Sequence, residues 1–104
     1  VTTVVAGKRG SEFCVKIENH CKNRDICIAV SAIAQTLCQY TDFFRDEHSG
    51  IRVDRLHVDY GDVEISLNAA PKAMGKYLEG ARAIMLGFEL YAENFPDEVR
   101  VIFH

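Results

Sequence analysis

Two side chains of this chain have the types and spacing for nucleophilic chemistry, His20 and Cys27, in the run His20-Cys21-Lys22-Asn23-Arg24-Asp25-Ile26-Cys27-Ile28-Ala29-Val30-Ser31. His20 closes a strand-like stretch, a short polar loop follows, and an apolar helix then begins with Cys27 in its first turn. The first turn of a helix carries backbone N–H groups with no intrahelical partner, at the positive end of the helix dipole. That field favours a thiolate, and an imidazolium nearby favours it further. The thiolate is the nucleophile, so a histidine brought beside such a cysteine is the minimal pair of a cysteine hydrolase. Ser31 follows Cys27 by four residues and falls one turn further along the same helix face. Asp25 stands where a helix N-cap is expected, its carboxylate accepting bonds from the N–H groups two or three residues on. The same residue types have plainer uses: a cysteine at an apolar helix start serves as a small hydrophobe, and a serine on a helix bonds back to its own carbonyls.

The other reactive residue types form no second site. The four cysteines, at 14, 21, 27 and 38, contain no Cys-x-x-Cys pair. Cys14, Cys21 and Cys38 read as structural, His48 and His57 as surface residues, and His104 as a terminal one. His20, Cys21 and Cys27 are three zinc-ligand types, but without the close pairs of structural zinc sites no metal and no cofactor is expected. Disulfides are not expected either. The opening residues, Val1-Thr2-Thr3-Val4-Val5-Ala6, have neither a basic leader nor a long apolar block, so the expected setting is reduced and cytoplasmic.

The chain of 104 residues suits one domain, residues 1–104, and at 48% hydrophobic it supports a core without staples. A net charge of -3 offers no basic excess for phosphates, so nucleic acid is not an expected partner. No apolar run is long enough to span a membrane.

The elements that must position the pair follow from pattern. Residues 2–6 are β-branched and apolar, and residues 7–11 form a turn with two glycines. Phe13, Val15 and Ile17 alternate with polar neighbours over 12–18, so a hairpin delivers His20 at its end. Ile26, Val30, Ile33, Leu37, Tyr40 and Phe44 make one stripe of a helix over about 26–44. A charged loop spans 45–50. A strand over 51–60 slips phase between Val53 and Leu56, which predicts a bulge near Asp54. Gly61-Asp62 reads as a hairpin turn and 63–67 as a strand. A second helix runs from near Pro71 to near Asn94, with Met74, Leu78, Ala81, Met85, Phe88 and Ala92 on one side. Its Gly75, Gly80 and Gly87 each cost about 1 kcal/mol against Ala, which predicts close approach of another helix. Residues 99–103 are a last strand. The expected fold is α+β, in the order β-β-α-β-β-α-β, with two helices packed on a mostly antiparallel sheet.

The run from His20 through Cys27-Ile28-Ala29-Val30-Ser31-Ala32-Ile33-Ala34-Gln35-Thr36 resembles the ribosomal-processing cysteine proteases, the Prp family. Their pattern has Gly-His-Ala before a flexible loop, then Cys-Ala-x-Val-Ser on a helix. Residues 87–96, Gly-Phe-Glu-Leu-Tyr-Ala-Glu-Asn-Phe-Pro, are similar to that family's late helix, and the order of elements agrees. Asn19 stands in place of its Gly, Cys21 in place of its Ala, and Ile28 in place of the Ala after the cysteine. The resemblance implies a homodimeric cytoplasmic endopeptidase with His20 and Cys27 as the catalytic pair. Its substrate would be the N-terminal extension of a large-subunit ribosomal protein. Phage-type relatives that trim capsid or scaffold proteins, and a non-catalytic dimeric binding module of the same fold, are the alternatives. In the mechanism this pair suggests, residues 21–24 are the expected mobile piece closing over an extended peptide, and N–H groups at the helix start, those of Cys27 and Ile28, are the expected oxyanion site.

Overall fold

A computed structural model of the chain describes residues 1–47, 50–59 and 61–104. His48, Ser49 and Tyr60 lie outside the described residues, and with them the reading of His48 as a surface residue. The elements run β1 (Thr2–Arg9), β2 (Glu12–Glu18), α1 (Arg24–Glu47), β3 (Ile51–Asp59), β4 (Asp62–Ala69), α2 (Pro71–Asn94) and β5 (Val99–Phe103). The five strands form one sheet in the order β3-β4-β2-β1-β5, antiparallel throughout except for the parallel β1–β5 pair. This is the expected architecture.

Alternation decides which side of the sheet is covered. Val4 and Ala6 of β1, Phe13, Val15 and Ile17 of β2, and Val63, Ile65 and Leu67 of β4 are buried in one cluster with the apolar faces of both helices. The intervening Cys14, Lys16, Glu64 and Ser66 look out from the other side. The helices therefore share one face of the sheet, in a two-layer sandwich.

Several boundaries differ from expectation, among them both ends of β4, which spans Asp62–Ala69 rather than 63–67. β1 continues to Arg9, because Gly10, at φ 60°, makes the turn tight and pairs Arg9 with Glu12. α1 begins earlier, at Arg24, and ends later, at Glu47, so its last turn takes up charged residues read as loop. The predicted bulge is present, between Val53 and Arg55.

The helices meet through two of the three glycines. A Cβ on Gly87 would lie 2.9 Å from Ile33 Cδ1, and one on Gly80 would lie 2.5 Å from Tyr40 Cζ. Position 33 faces 87 and 40 faces 80, so the helices pack antiparallel. Gly75 has nothing within 4 Å of such a Cβ and takes no part in this contact. Around the Gly80 contact, Tyr40 Oη donates to the Tyr77 carbonyl at 2.9 Å, and Thr41 Oγ1 lies 2.8 Å from Tyr77 Oη. Burial pushes the Tyr77 phenol up to about 12.

Candidate active site

His20 and Cys27 are brought together. Cys27 Sγ lies 3.9 Å from His20 Nδ1, and both residues are half-buried. Several restraints set this separation. The histidine follows the left-handed residue Asn19, at φ 70°. Glycine adopts that conformation without strain and Asn tolerates it better than most residues. Asn19 donates its N–H to the Gly61 carbonyl at 3.0 Å and accepts from Thr2 Oγ1 at 3.2 Å. The same hydroxyl lies 3.1 Å from Cys21 Sγ, so buried Thr2 pins the chain on both sides of His20.

The imidazole is backed by the β3–β4 turn. A Cβ on Gly61 would lie 2.7 Å from His20 Cε1 and 3.1 Å from Cδ2, and would meet Nε2 closer still. Gly61 also holds φ 77°. Nδ1 faces the sulfur while the rest of the ring edge faces Gly61.

The helix start differs from expectation. Asn23, not Asp25, is the N-cap: its Oδ1 accepts from Asp25 N at 2.9 Å and from Ile26 N at 3.2 Å. Because the helix begins at Arg24, Asp25 lies inside the first turn, exposed, and its own N–H is one of the capped donors. Cys27 N donates to the Asn23 carbonyl at 3.0 Å, the first regular bond of the helix. The Cys27 amide is thus committed, and the expected oxyanion donors at Cys27 and Ile28 are not free ones.

The loop between the pair, expected to be mobile, is tied down. Lys22 N and Asn23 N donate to Glu98 Oε2 at 2.7 and 3.3 Å, and the buried Cys21 thiol donates to the Glu98 carbonyl at 3.4 Å. That geometry turns Cys21 away from the pair. Among the described residues no group of three His, Cys, Asp or Glu side chains is placed to hold a metal ion.

Beside the thiol opens a pocket of about 390 Å³, within the range of small-ligand and peptide side-chain sites. Ile17, Val30, Ala34, Val58 and Val63 give it an apolar floor. Asn19, Ser31, Gln35, Asp59 and Asp62 supply its polar rim. Ser31 falls one turn below Cys27 as its spacing predicts, and no hydrogen bond joins it to the thiol among the described residues. Of the three departures from the family pattern, Asn19 alone lines the pocket; Ile28 is exposed on the outer side of α1. The other thiols are poorly suited to attack. Burial pushes Cys38 up to about 11 and raises Cys14 as well.

Sequence reasoning missed Asn23, Gly61 and Glu98. Asn23 had a usable signal, since Asn caps as well as Asp and stands three residues before Ile26. Gly61 was legible only as a turn. Nothing local marked Glu98, which arrives from 71 residues beyond Cys27.

No family model and no curated protein sequence matches the chain. Solved structures do. The ribosomal processing protease Prp from S. aureus, in complex with a substrate peptide, is similar with a TM-score of 0.74 at 12% identity, covering 100% of both chains. The same protease with a covalently linked product peptide gives a TM-score of 0.71 at 15% identity, again over 100% of both chains. SMU.848 from Streptococcus mutans gives 0.63 at 18% identity, over 99% of this chain and 98% of that one. The fold of this chain is the Prp fold.

Proposed function

We propose that this protein is a cysteine endopeptidase of the Prp type. In this reading it removes the N-terminal extension of a large-subunit ribosomal protein. The observation that carries it is the 3.9 Å approach of Cys27 Sγ to His20 Nδ1 beside a pocket of about 390 Å³. The S. aureus protease of the same fold has been captured with substrate and product peptides, which supports a peptide as the occupant of the pocket.

His20 takes the Cys27 proton, and the sulfur attacks the scissile carbonyl carbon, forming a C–S bond and placing the electron pair on oxygen. As that pair returns, the C–N bond breaks and His20 delivers its proton to the leaving amine. Water, activated by the same imidazole, then attacks the thioester, releasing the new carboxyl end and restoring the thiol. Catalytic contacts are often long before substrate binds, and 3.9 Å is in keeping with that. With the Cys27 amide committed to the helix, the oxyanion draws on the side-chain donors of the rim, Asn19, Ser31 and Gln35. Asp25 acts on the helix start, where its charge complements the dipole.

A homodimer belongs to this reading, and the exposed Leu86 and Phe103, in a groove shared with Lys8, Arg82 and Glu89, are consistent with such a contact. The test is cleavage of peptides spanning the extension of the ribosomal protein. Wild type cuts them at one bond, while Cys27→Ala and His20→Ala each lose on the order of 10⁴-fold or more. Cleavage by Cys27→Ala at the wild-type rate refutes the assignment.

A further inference from the structure

The loop joining the two reactive residues is held by a residue that no catalytic pattern includes. Glu98 sits in the turn between α2 and β5, and is itself fixed there: its N–H donates to the Phe95 carbonyl at 2.9 Å, as does that of Val99 at 3.0 Å. From this turn Glu98 Oε2 accepts the consecutive N–H groups of Lys22 and Asn23, and the Glu98 carbonyl accepts both the Thr2 N–H, at 2.9 Å, and the Cys21 thiol. Two backbone donors on one carboxylate oxygen are charge-assisted bonds, stronger than neutral ones. They fall on the residue that caps α1 and on its predecessor. The carboxylate therefore sets where α1 starts relative to the end of β2, which is the separation of Cys27 from His20.

We propose that Glu98 is a positioning residue of this site, a latch that holds residues 21–23 against the α2–β5 turn and keeps the thiol and imidazole in register. A free six-residue connector would let the helix start and the hairpin end drift apart. The latch removes that freedom from a point that touches neither reactive side chain. Its kinetic consequence rests on the peptidase reading, whereas the restraint itself is measurable without turnover.

The loop carries its own reporter. Trypsin cuts after Lys22, and the Lys22–Asn23 peptide contains one of the two latched N–H groups. In Glu98→Ala, cleavage at Lys22–Asn23 rises at least tenfold at a temperature where the fold is intact. Alkylation of Cys27 by iodoacetamide slows about fivefold toward the rate of Cys14. Glu98→Gln keeps an acceptor oxygen and recovers most of both effects. Cys21→Ala removes the thiol bond but not the carboxylate, and leaves the Lys22–Asn23 bond protected. Peptide cleavage in Glu98→Ala falls in kcat more than it rises in KM. Unchanged tryptic cleavage in Glu98→Ala, or equal exposure in Cys21→Ala, overturns the latch. If the latch holds but wild type cleaves no peptide, the peptidase reading fails and the positioning role of Glu98 stands.

Discussion

Replacing Gly61 with Ala separates two demands that meet at one residue. The backbone there has φ 77°, where a Cβ costs about 1–2 kcal/mol. The same Cβ would stand 2.7 Å from His20 Cε1, whereas carbon atoms in ordinary contact need about 3.5 Å. The ring must yield by roughly 1 Å. It has little room to slide forward, because Cys27 Sγ is already 3.9 Å from Nδ1, so it turns away from the sulfur. A misplacement of about 1 Å at a reacting group costs on the order of 10²-fold in rate. Gly10→Ala is the matched control: its φ is 60°, and a Cβ there has nothing within 4 Å. Gly10→Ala should lose about 1–2 kcal/mol, several degrees in Tm for a chain of this size, and Gly61→Ala somewhat more because its ring must also yield. Gly61→Ala alone should also slow peptide cleavage about 10²-fold and slow alkylation of Cys27. Alkylation and cleavage by Gly61→Ala at the Gly10→Ala rates would show that the β3–β4 turn does not hold the imidazole.

Three further outcomes follow from the packing. Gly75→Ala should stabilise the protein by about 0.5–1 kcal/mol, since it adds helix propensity in open space, while Gly80→Ala should destabilise it by about 1–3 kcal/mol by displacing Tyr40; urea midpoints read both. Asn23→Ala should cost about 1 kcal/mol in the same assay and Asp25→Ala much less, because Asn23 makes the cap. Tyr77, raised by burial to about 12, holds its proton in the fold where the unfolded chain gives it up, so its contribution is complete below pH 10 and lost as pH rises from 10 through 12. Wild type should therefore lose about 2–3 kcal/mol more than Tyr77→Phe across that interval in denaturant titrations; equal losses would refute the buried-phenol account.

Alternation and helical periodicity carried the architecture. Phe13, Val15 and Ile17 marked the buried face of β2, and the slip after Val53 marked the bulge. The seven-residue offset from His20 to Cys27, across a strand end and a helix start, made the pair legible. These signals are local: each depends on residues within a turn or a strand of one another. Helix ends were less legible, because Asn23 and Asp25 are both good caps and only the hydrogen bonds chose between them. The part of the site that came from distant sequence was not legible at all. Gly61 and Glu98 act on His20 and on the loop through contacts spanning 41 and 76 positions, and a residue's type does not say what a sheet will place against it. The amino-acid order thus determined the candidate pair and which elements carry it. The tertiary structure decided their separation, the pocket beside them and the residues that hold them, because those depend on sheet order, which brings the β3–β4 turn and the start of β5 to the two sides of the same loop.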